Sequence, residues 1–256
     1  MIKFFRKIRF QLLGEGKTGK YLKYAIGEVI LVVIGILIAL SINTWNENRK
    51  NSTIEKNTLI DLKSDLESAM TQLDTKIEQN KFWRRLDSLL LDVIHFNKKI
   101  STDSLEKLIL GHIFSPGFDP ELGTLNEILS TGKMEIIKNR TLRKHISSWN
   151  KSMDELSEVD KKLEHLDLQV KEPLYSNQIP MKNSLSLYLS FFEGRSYQVP
   201  ESNFKWDTEA LLQNIEFENM LSNYVLYSSL QHLRLKNIKG NINEMITLIN
   251  RETESD

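Results

Sequence analysis

The chain has 256 residues, with 34 basic and 34 acidic side chains and no cysteine. The lack of cysteine excludes disulfide bonds, a thiolate nucleophile and thiolate metal ligands. The balanced charge, together with the lack of a basic stripe interleaved with aromatic residues, argues against a nucleic-acid partner.

Residues 24–42, YAIGEVILVVIGILIALSI, constrain the chain more than any other segment. They contain one charged residue, Glu28, and at 1.5 Å per residue they form a helix of about 28 Å, close to the hydrocarbon thickness of a bilayer. The segment therefore predicts one transmembrane helix. A cleavable signal peptide is the alternative, because Ala39 and Ser41 are small residues at the cleavage spacing. The long basic region and the long apolar run favour a retained anchor.

The charges on the two sides of the predicted span set its orientation. Residues 1–23 carry seven basic side chains against one acidic, whereas residues 43–62 carry three of each sign. Positively charged flanks stay in the cytoplasm, so the N-terminus is predicted to lie inside and residues 43–256 to be exported. The exported part has 27 basic and 32 acidic side chains, which makes it weakly acidic.

Two sets of residues are predicted to contact the surface of the lipid bilayer. Aromatic residues at the ends of a span sit at the headgroups, which places Tyr21 and Tyr24 at one interface and Trp45 at the other. Residues 1–13, MIKFFRKIRFQLL, are predicted to form an interfacial helix on the inner leaflet. The alternative is that their cations only set the topology. These cations are Lys3, Arg6, Lys7 and Arg9.

One face of the predicted span is small or polar, and the opposite face is bulky and apolar. On a helical wheel, Glu28, Gly35, Ala39 and Asn43 share the first face, as expected if it packs against another helix. We expect self-association or a contact with another membrane protein there, with Glu28 hydrogen-bonded across the interface. The alternative is that Glu28, only a turn inside the membrane, extends its carboxylate to the cytoplasmic headgroups.

After a polar neck at residues 43–53, a second long helical stretch is predicted. Residues 52–97 contain neither proline nor glycine. The apolar residues follow a heptad-like spacing typical of a coiled coil for about two repeats, and Asn80 then lies on the same seam. The seam residues are Leu59, Leu62, Leu66, Ala69, Leu73 and Ile77.

The rest of the chain alternates between helix signals and breakers. A cluster at residues 101–104 predicts the start of a helix that reaches Phe114. Residues 124–131 predict a short helix that Gly132 ends as a left-handed cap. Residues 113–122, IFSPGFDPEL, form a turn-rich segment that is our first candidate for a recognition loop. An ordinary connection between helices is the alternative.

Two further long helices are predicted from their caps. Asn139 caps a helix that runs from Arg140 to about Lys171, where the approaching Pro173 ends it. Asp207 caps a last helix that runs from Thr208 to about Arg251. Residues 184–192 leave two alternatives open, because their alternation is typical of a strand whereas Ser184 could cap a helix. We favour the helix, since nothing else in the chain offers a strand partner.

The segments that follow Asn139 and Asn214 are similar to each other. Each asparagine precedes apolar residues three, seven and ten positions later, as expected for a capped helix with one buried face. Two helix starts that obey the same physics explain this similarity without a duplication. The predicted core residues are Leu142, Ile146, Trp149, Phe217, Leu221 and Tyr224.

No pattern of catalytic chemistry occurs in the sequence. The five histidines have no metal-ligand spacing, and there is no phosphate-binding loop, dinucleotide fingerprint or nucleophile elbow. We therefore expect a protein that is not an enzyme, with no catalytic residue, no metal and no cofactor. A ligand pocket could be lined by Trp83, Trp149, Trp206 and the Phe191–Phe192 pair, but core packing is the better explanation for most of them, because aromatic residues supply much of the buried area of any domain.

These observations predict an all-α chain with four parts. They are a basic leader at residues 1–23, a transmembrane helix at 24–42, a neck with a long helix at 43–98, and a helical remainder at 99–256. The last two parts form a helical-bundle exported domain. Such a chain is typical of an interaction or scaffold component. The alternative is a ligand-sensing ectodomain that signals through a partner membrane protein, although the short leader offers no output domain.

Three blocks of the sequence also resemble a known family. They are MIKFFRKIRFQLL, KYLKYAIGEVILVVIGILIALSINTWNE and, more weakly, LNEILSTGKMEIIKN. They are similar to an uncharacterised family of N-terminally anchored single-pass membrane proteins from Bacteroidota, which is known as a domain of unknown function. The resemblance implies a retained anchor in the inner membrane and a helical domain in a Gram-negative periplasm. It implies no activity, cofactor or catalytic residue.

Overall fold

A single helix of 79 residues, α1 (Thr18–Phe96), opens the structure. The structure is a computed structural model that describes residues 18–110, 117–183, 185, 189, 199–200 and 202–254. α1 contains no proline and passes through the predicted span and neck without a break. It ends before Asn97, whose φ of 46° lies in the left-handed region that asparagine tolerates better than most residues. The predicted long helix in residues 52–97 is observed, and it is continuous with the predicted span and neck.

Shorter helices follow α1, and no strand occurs in the part of the chain that the structure describes, so the fold is all-α as predicted. A 3₁₀ turn (Lys133–Glu135) follows α3, and a π-helical segment (Asp167–Lys171) joins α5 to α6. The helices are α2 (Thr102–Leu110), α3 (Gly123–Thr131), α4 (Arg140–Ser147), α5 (Trp149–Leu166), α6 (Glu172–Gln178), α7 (Thr208–Leu212) and α8 (Ile215–Glu254).

The chain divides into two units, Met1–Asn57 and Thr58–Asp256. In its described part, the first unit consists of the beginning of α1. The second unit contains the remainder of α1 and the other helices, and we call it the helical domain.

Most of the predicted helix caps are confirmed. The Asn139 side chain accepts a hydrogen bond from the backbone N–H of Leu142 at 3.0 Å. Asp207 accepts bonds from the first N–H groups of α7, including that of Ala210 at 3.0 Å. Gly132 ends α3 with a φ of 77°, a conformation that glycine adopts without a steric penalty. These caps satisfy backbone groups that a helix end leaves without partners.

The prediction of one uninterrupted helix from Asn139 to Pro173 is wrong. The chain turns at Ser148 between α4 and α5, and α6 continues past Pro173 to Gln178. The π-helical segment ends two residues before the proline, and its widened turn joins the N–H of Glu172 to the carbonyl of Asp167. Pro173 therefore stands in the first turn of α6, where its fixed φ suits the helix.

The prediction of one helix from Asp207 to Arg251 is also wrong at its beginning. α7 ends at Leu212, and Asn214 starts α8 by accepting a hydrogen bond from the backbone N–H of Glu216 at 2.8 Å. A side chain that bonds its own backbone in this way competes with a continuing helix. The similarity between the segments that follow Asn139 and Asn214 indicated this second cap. The cap signal at Asp207 instead led to the prediction of a single helix.

Within the helical domain, α8 runs antiparallel to α1 and to the α4–α5 pair. In each set of contacts, the residue number rises on one helix as it falls on α8. The contacts are Asp74 with Lys239, Asn80 with Ser228, Asn139 with Glu252 and Glu155 with Arg234.

Two apolar clusters form the core of the helical domain. The first contains the whole predicted α1 seam, from Leu59 to Ile77, and packs it against α3, α4 and the second half of α8. The second contains Leu90 of α1, together with α2, α6, α7 and the first half of α8. All six core residues predicted after Asn139 and Asn214 are buried, so that prediction is confirmed.

Two sequence alternatives are partly resolved. The described end of the candidate recognition loop, residues 117–122, buries Phe118 and Leu122 in the first cluster, as an ordinary connection would. Its residues 113–116 lie outside the described residues. Of residues 184–192, only Leu185 and Leu189 are described, and both are helical.

Candidate functional site

The apolar part of α1 contributes no side chain to a protein interior. An 18-residue window of this helix has a mean hydropathy of 2.8, and none of the window is buried. Leu31, Ile34 and Leu37 are 56%, 50% and 57% exposed. Among the described residues, α1 is the one helix that is long and apolar enough to cross a membrane. A signal sequence near an N-terminus would pass the same test.

The predicted packing face lies along this accessible part of α1. Gly35, Ala39 and Asn43 are exposed, and Glu28 is half-buried. A Cβ added at Gly35 would meet no atom within 4 Å, so another helix could approach the backbone closely there. Asn43 donates a hydrogen bond to Glu47 Oε1 at 3.2 Å, one turn further along α1. The packing of this face against a second helix stays a prediction.

Of the predicted membrane-interface residues, the structure describes the side chain of Trp45. Its indole is exposed, and the Arg49 guanidinium lies 5.9 Å from the ring centroid. An aromatic ring next to a cation suits the headgroup region, where one end of the ring is apolar and the other is wet. The side chains of Tyr21 and Tyr24, and all of Lys3, Arg6, Lys7 and Arg9, lie outside the described residues.

A buried polar layer, which the sequence did not predict, separates the two apolar clusters of the helical domain. On α1, Asn80 and Asp87 fall between the residues of the first cluster and those of the second, and on α8, Ser228, Gln231 and His232 do so. The layer consists of Lys76, Asn80 and Asp87 of α1, Asp160 of α5, Asp167 and Lys171 of the π-helical segment, and Tyr224, Ser228, Gln231 and His232 of α8.

The centre of the polar layer joins three helices through Asn80. The Asn80 amide donates to the carbonyl of Ser228 at 2.9 Å and to Gln231 Oε1 at 2.8 Å. Gln231 in turn donates to Asp160 Oδ1 on α5. Asn80 is only 2% exposed, so these bonds lie in a poorly solvated interior, where an unpaired polar group is costly. The chain of bonds therefore favours one register of α8 against α1.

The edge of the polar layer joins the π-helical segment to α8. Asp167 accepts hydrogen bonds from the Lys171 ammonium and from the Tyr224 hydroxyl. The same ammonium lies 5.8 Å from the centroid of the Tyr224 ring. On the neighbouring α6, the Tyr175 hydroxyl donates to the carbonyl of Ile109 at 3.2 Å, which satisfies a group in the last turn of α2.

Burial dominates the electrostatics of the polar layer. Burial raises the pKa of Tyr224, and the charge and hydrogen bond of Asp167 raise it further, so the hydroxyl stays protonated and donates. Burial also lowers the pKa of Lys76, while the negative charge of Asp160 acts in the opposite direction. His232, at the margin of the layer, has a pKa lowered by burial and by the nearby cations Arg84, Lys236 and Lys81.

The polar layer contains acidic and basic groups but no arrangement that would hold a metal ion. Among the described residues, no group of three histidine, cysteine or acidic side chains is placed for this. The layer contains the π-helical segment, a structure found frequently at functional sites. Sequence spacing gave one signal for it, the polar Asn80 on an apolar seam, because its other members lie on distant parts of the chain.

The described residues define a class of protein, an all-α chain in which one of the described helices is able to span a membrane. A domain of a family of unknown function, DUF6090, spans residues 28–153. The match begins in the apolar part of α1 and ends in α5, so it includes the packing face and Asn80. No curated protein and no solved structure matches the chain. The resemblance to an uncharacterised family is thus supported for this part of the chain.

We predict that Asn80 and Gln231 contribute to stability as a unit. Asn80→Ala should cost about 1–3 kcal/mol, because Gln231 Oε1 would lose its buried donor. In a double-mutant cycle with Gln231→Ala, the coupling energy should reach about 0.5–3 kcal/mol. Urea unfolding of the detergent-solubilised chain measures both quantities. Asn150→Ala, at an exposed position, is the control and should be additive with Asn80→Ala. If the effects of Asn80→Ala and Gln231→Ala on the free energy of unfolding were additive, the two residues would not act as a unit.

We also predict that stability falls in mild acid because of His232. Its folded-state pKa is lowered, so below about pH 6.5, the ordinary histidine pKa, the unfolded chain binds a proton that the folded chain does not. The unfolding temperature should therefore drop between about pH 7.5 and about pH 5.5. His232→Gln should reduce this drop, whereas His165→Gln, on an exposed surface, should leave it unchanged. An equal drop in both variants would exclude His232 as the cause.

Proposed function

We propose that this chain is a single-pass inner-membrane protein, anchored by α1, whose helical domain lies in the periplasm. The observation that carries this proposal is the fully unburied apolar window of α1. Covering one leucine-sized side chain is worth about 1.5–3 kcal/mol, so a run of such side chains on one helix strongly favours lipid over water. A helix also satisfies its own backbone hydrogen bonds inside the bilayer.

Three features support an anchor that is retained rather than cleaved. α1 continues without a break through Ala39 and Ser41, the residues at the possible cleavage spacing. The Ser41 hydroxyl donates to the carbonyl of Leu37 at 2.8 Å, so its polar group is satisfied within the helix. The family domain also includes residues on both sides of this point.

The orientation rests on the charges that flank the span. The leader has six more basic than acidic residues, whereas residues 43–62 have equal numbers. The leader therefore stays in the cytoplasm, and the helical domain is exported. The leader cations lie against anionic headgroups, and Tyr21, Tyr24 and Trp45 occupy the two interfaces.

The proposed role is interaction or scaffolding in the cell envelope, without catalysis and without a nucleic-acid partner. The face with Glu28, Gly35, Ala39 and Asn43 packs against a second copy or against another membrane protein. Its small residues allow close backbone approach, and its polar residues gain hydrogen-bond partners away from lipid.

Ligand sensing is the second candidate function, and the polar layer favours it. A buried network beside a π-helical segment is a place where a bound molecule could alter the packing of α8. A small molecule that binds there would raise the unfolding temperature of the chain by mass action, whereas a scaffold requires no such ligand. A thermal-shift screen of the intact protein in detergent separates the two functions.

We predict that the intact chain stays in the membrane pellet after alkaline extraction and that external protease on spheroplasts digests a C-terminal epitope tag. The control is the double variant Ile34→Lys/Leu37→Lys. It puts two charges at the centre of the apolar window, and each charge raises the free energy of membrane insertion by about 2.5–3.5 kcal/mol. This variant should leave the pellet, whereas Ile60→Lys, at an exposed position of the helical domain, should not. A tag protected until the spheroplasts are lysed would contradict the orientation, and a soluble wild-type chain would contradict the anchor.

A further inference from the structure

The outward face of α8 carries an apolar stripe that is exposed in the part of the chain that the structure describes. Leu226, Leu230 and Leu233 are 52%, 38% and 51% exposed, although the opposite face of the same helix is buried in the core. Residues 219–233, NMLSNYVLYSSLQHL, contain no charged side chain, in a chain of which 27% of the residues are charged. A solvated helix face usually carries charges, so this face is unusual for contact with water alone.

The stripe has the spacing of a two-helix seam. Three asparagines extend it at both ends, and the residues follow one another at steps of four and three, as positions a and d of a heptad do. We define the outer stripe as Asn219, Asn223, Leu226, Leu230, Leu233 and Asn237.

Polar groups next to the outer stripe already have partners within the chain. The hydroxyls of Ser222 and Ser229 donate to backbone carbonyls of α8 at 2.9 and 2.7 Å. Arg234 pairs with Glu155 of α5 at 2.7 Å. A partner that covers the outer stripe would thus leave few hydrogen-bonding groups unsatisfied, which lowers the cost of removing water.

We propose that the outer stripe is the contact between two copies of this chain. Every residue in it can pair with itself across a two-fold axis, because leucine packs on leucine and an asparagine amide has both a donor and an acceptor. The exposed face of α1 differs in this respect. There, Phe82 and Leu89 share the outer surface with Glu78 and Arg85, and two copies would bring like charges together.

Because the outer stripe is small, the contact between two copies depends on their being held in the same membrane. Its nineteen positions span about 28 Å, and such a short seam covers less than the roughly 800 Å² per partner of a standard stable interface. Two copies held in one membrane meet at a higher effective concentration, which allows a weak contact to form. The inference therefore rests on the proposed membrane anchor, and it adds the surface through which the helical domain self-associates.

Disulfide trapping in native membranes tests the inference, because the chain has no cysteine of its own. Leu230→Cys places a thiol at the middle leucine, which faces its own copy when the two-fold axis runs along the two helices. Lys236→Cys is the matched control, since this exposed position lies about 90° around the same helix from the stripe. With a mild oxidant, Leu230→Cys should convert predominantly to a covalent dimer, and Lys236→Cys should stay monomeric.

A second variant separates a specific contact from random collision. Leu226→Lys, added to Leu230→Cys, puts two like charges across the seam and should abolish the dimer, whereas Leu226→Met should preserve it. Equal trapping at the two cysteine positions, or no dimer from a Leu230→Cys chain present in the membrane pellet, would overturn the contact and leave the anchor intact. A chain that is absent from the pellet would overturn the proposed anchor, and the contact with it.

Discussion

The constraint on which the structure depends is that the long apolar stretches of α1 must be removed from water. Two of these stretches differ: among the described residues, other helices cover one of them, and the other is exposed. From Leu59 to Ile77, the apolar side chains form a narrow seam with heptad-like spacing, which α3, α4 and α8 cover. From Val29 to Leu40, they surround the helix on all sides and are exposed. A narrow stripe suits packing against neighbouring helices, whereas an all-round apolar surface suits lipid.

Between its two apolar clusters, the helical domain holds a set of buried polar groups that join helices distant in sequence. Asn80, Gln231 and Asp160 link α1, α8 and α5, and Asp167 links the π-helical segment to α8 through Tyr224. Apolar contacts tolerate sliding of one helix along another, but directional hydrogen bonds in a dry interior do not. The polar groups therefore select one register for helices whose repetitive apolar faces would allow several.

The sequence predicted those features that arise from local physics. Apolar spacing identified the α1 seam, and side-chain chemistry identified the caps at Asn139, Gly132 and Asp207. The polar layer escaped prediction because its members come from separate helices, and no local spacing pairs Asn80 with Gln231. The continuation of the helix past Pro173 was mispredicted for a related reason. Proline normally ends a helix, and only the widened π-helical turn before it, a feature of the whole segment, lets the chain continue.

The division of the core into two clusters affects how the domain opens. α1, α5 and α8 belong to both clusters, whereas α2, α6 and α7 contribute only to the second. Proteins open in cooperative units whose borders follow the density of apolar contacts, and a polar seam is such a border. The short helices at one end can thus detach and rebind while the seam around Leu66 stays closed. Such partial opening would expose backbone amides of α2, α6 and α7 to solvent exchange long before those at the middle of α1.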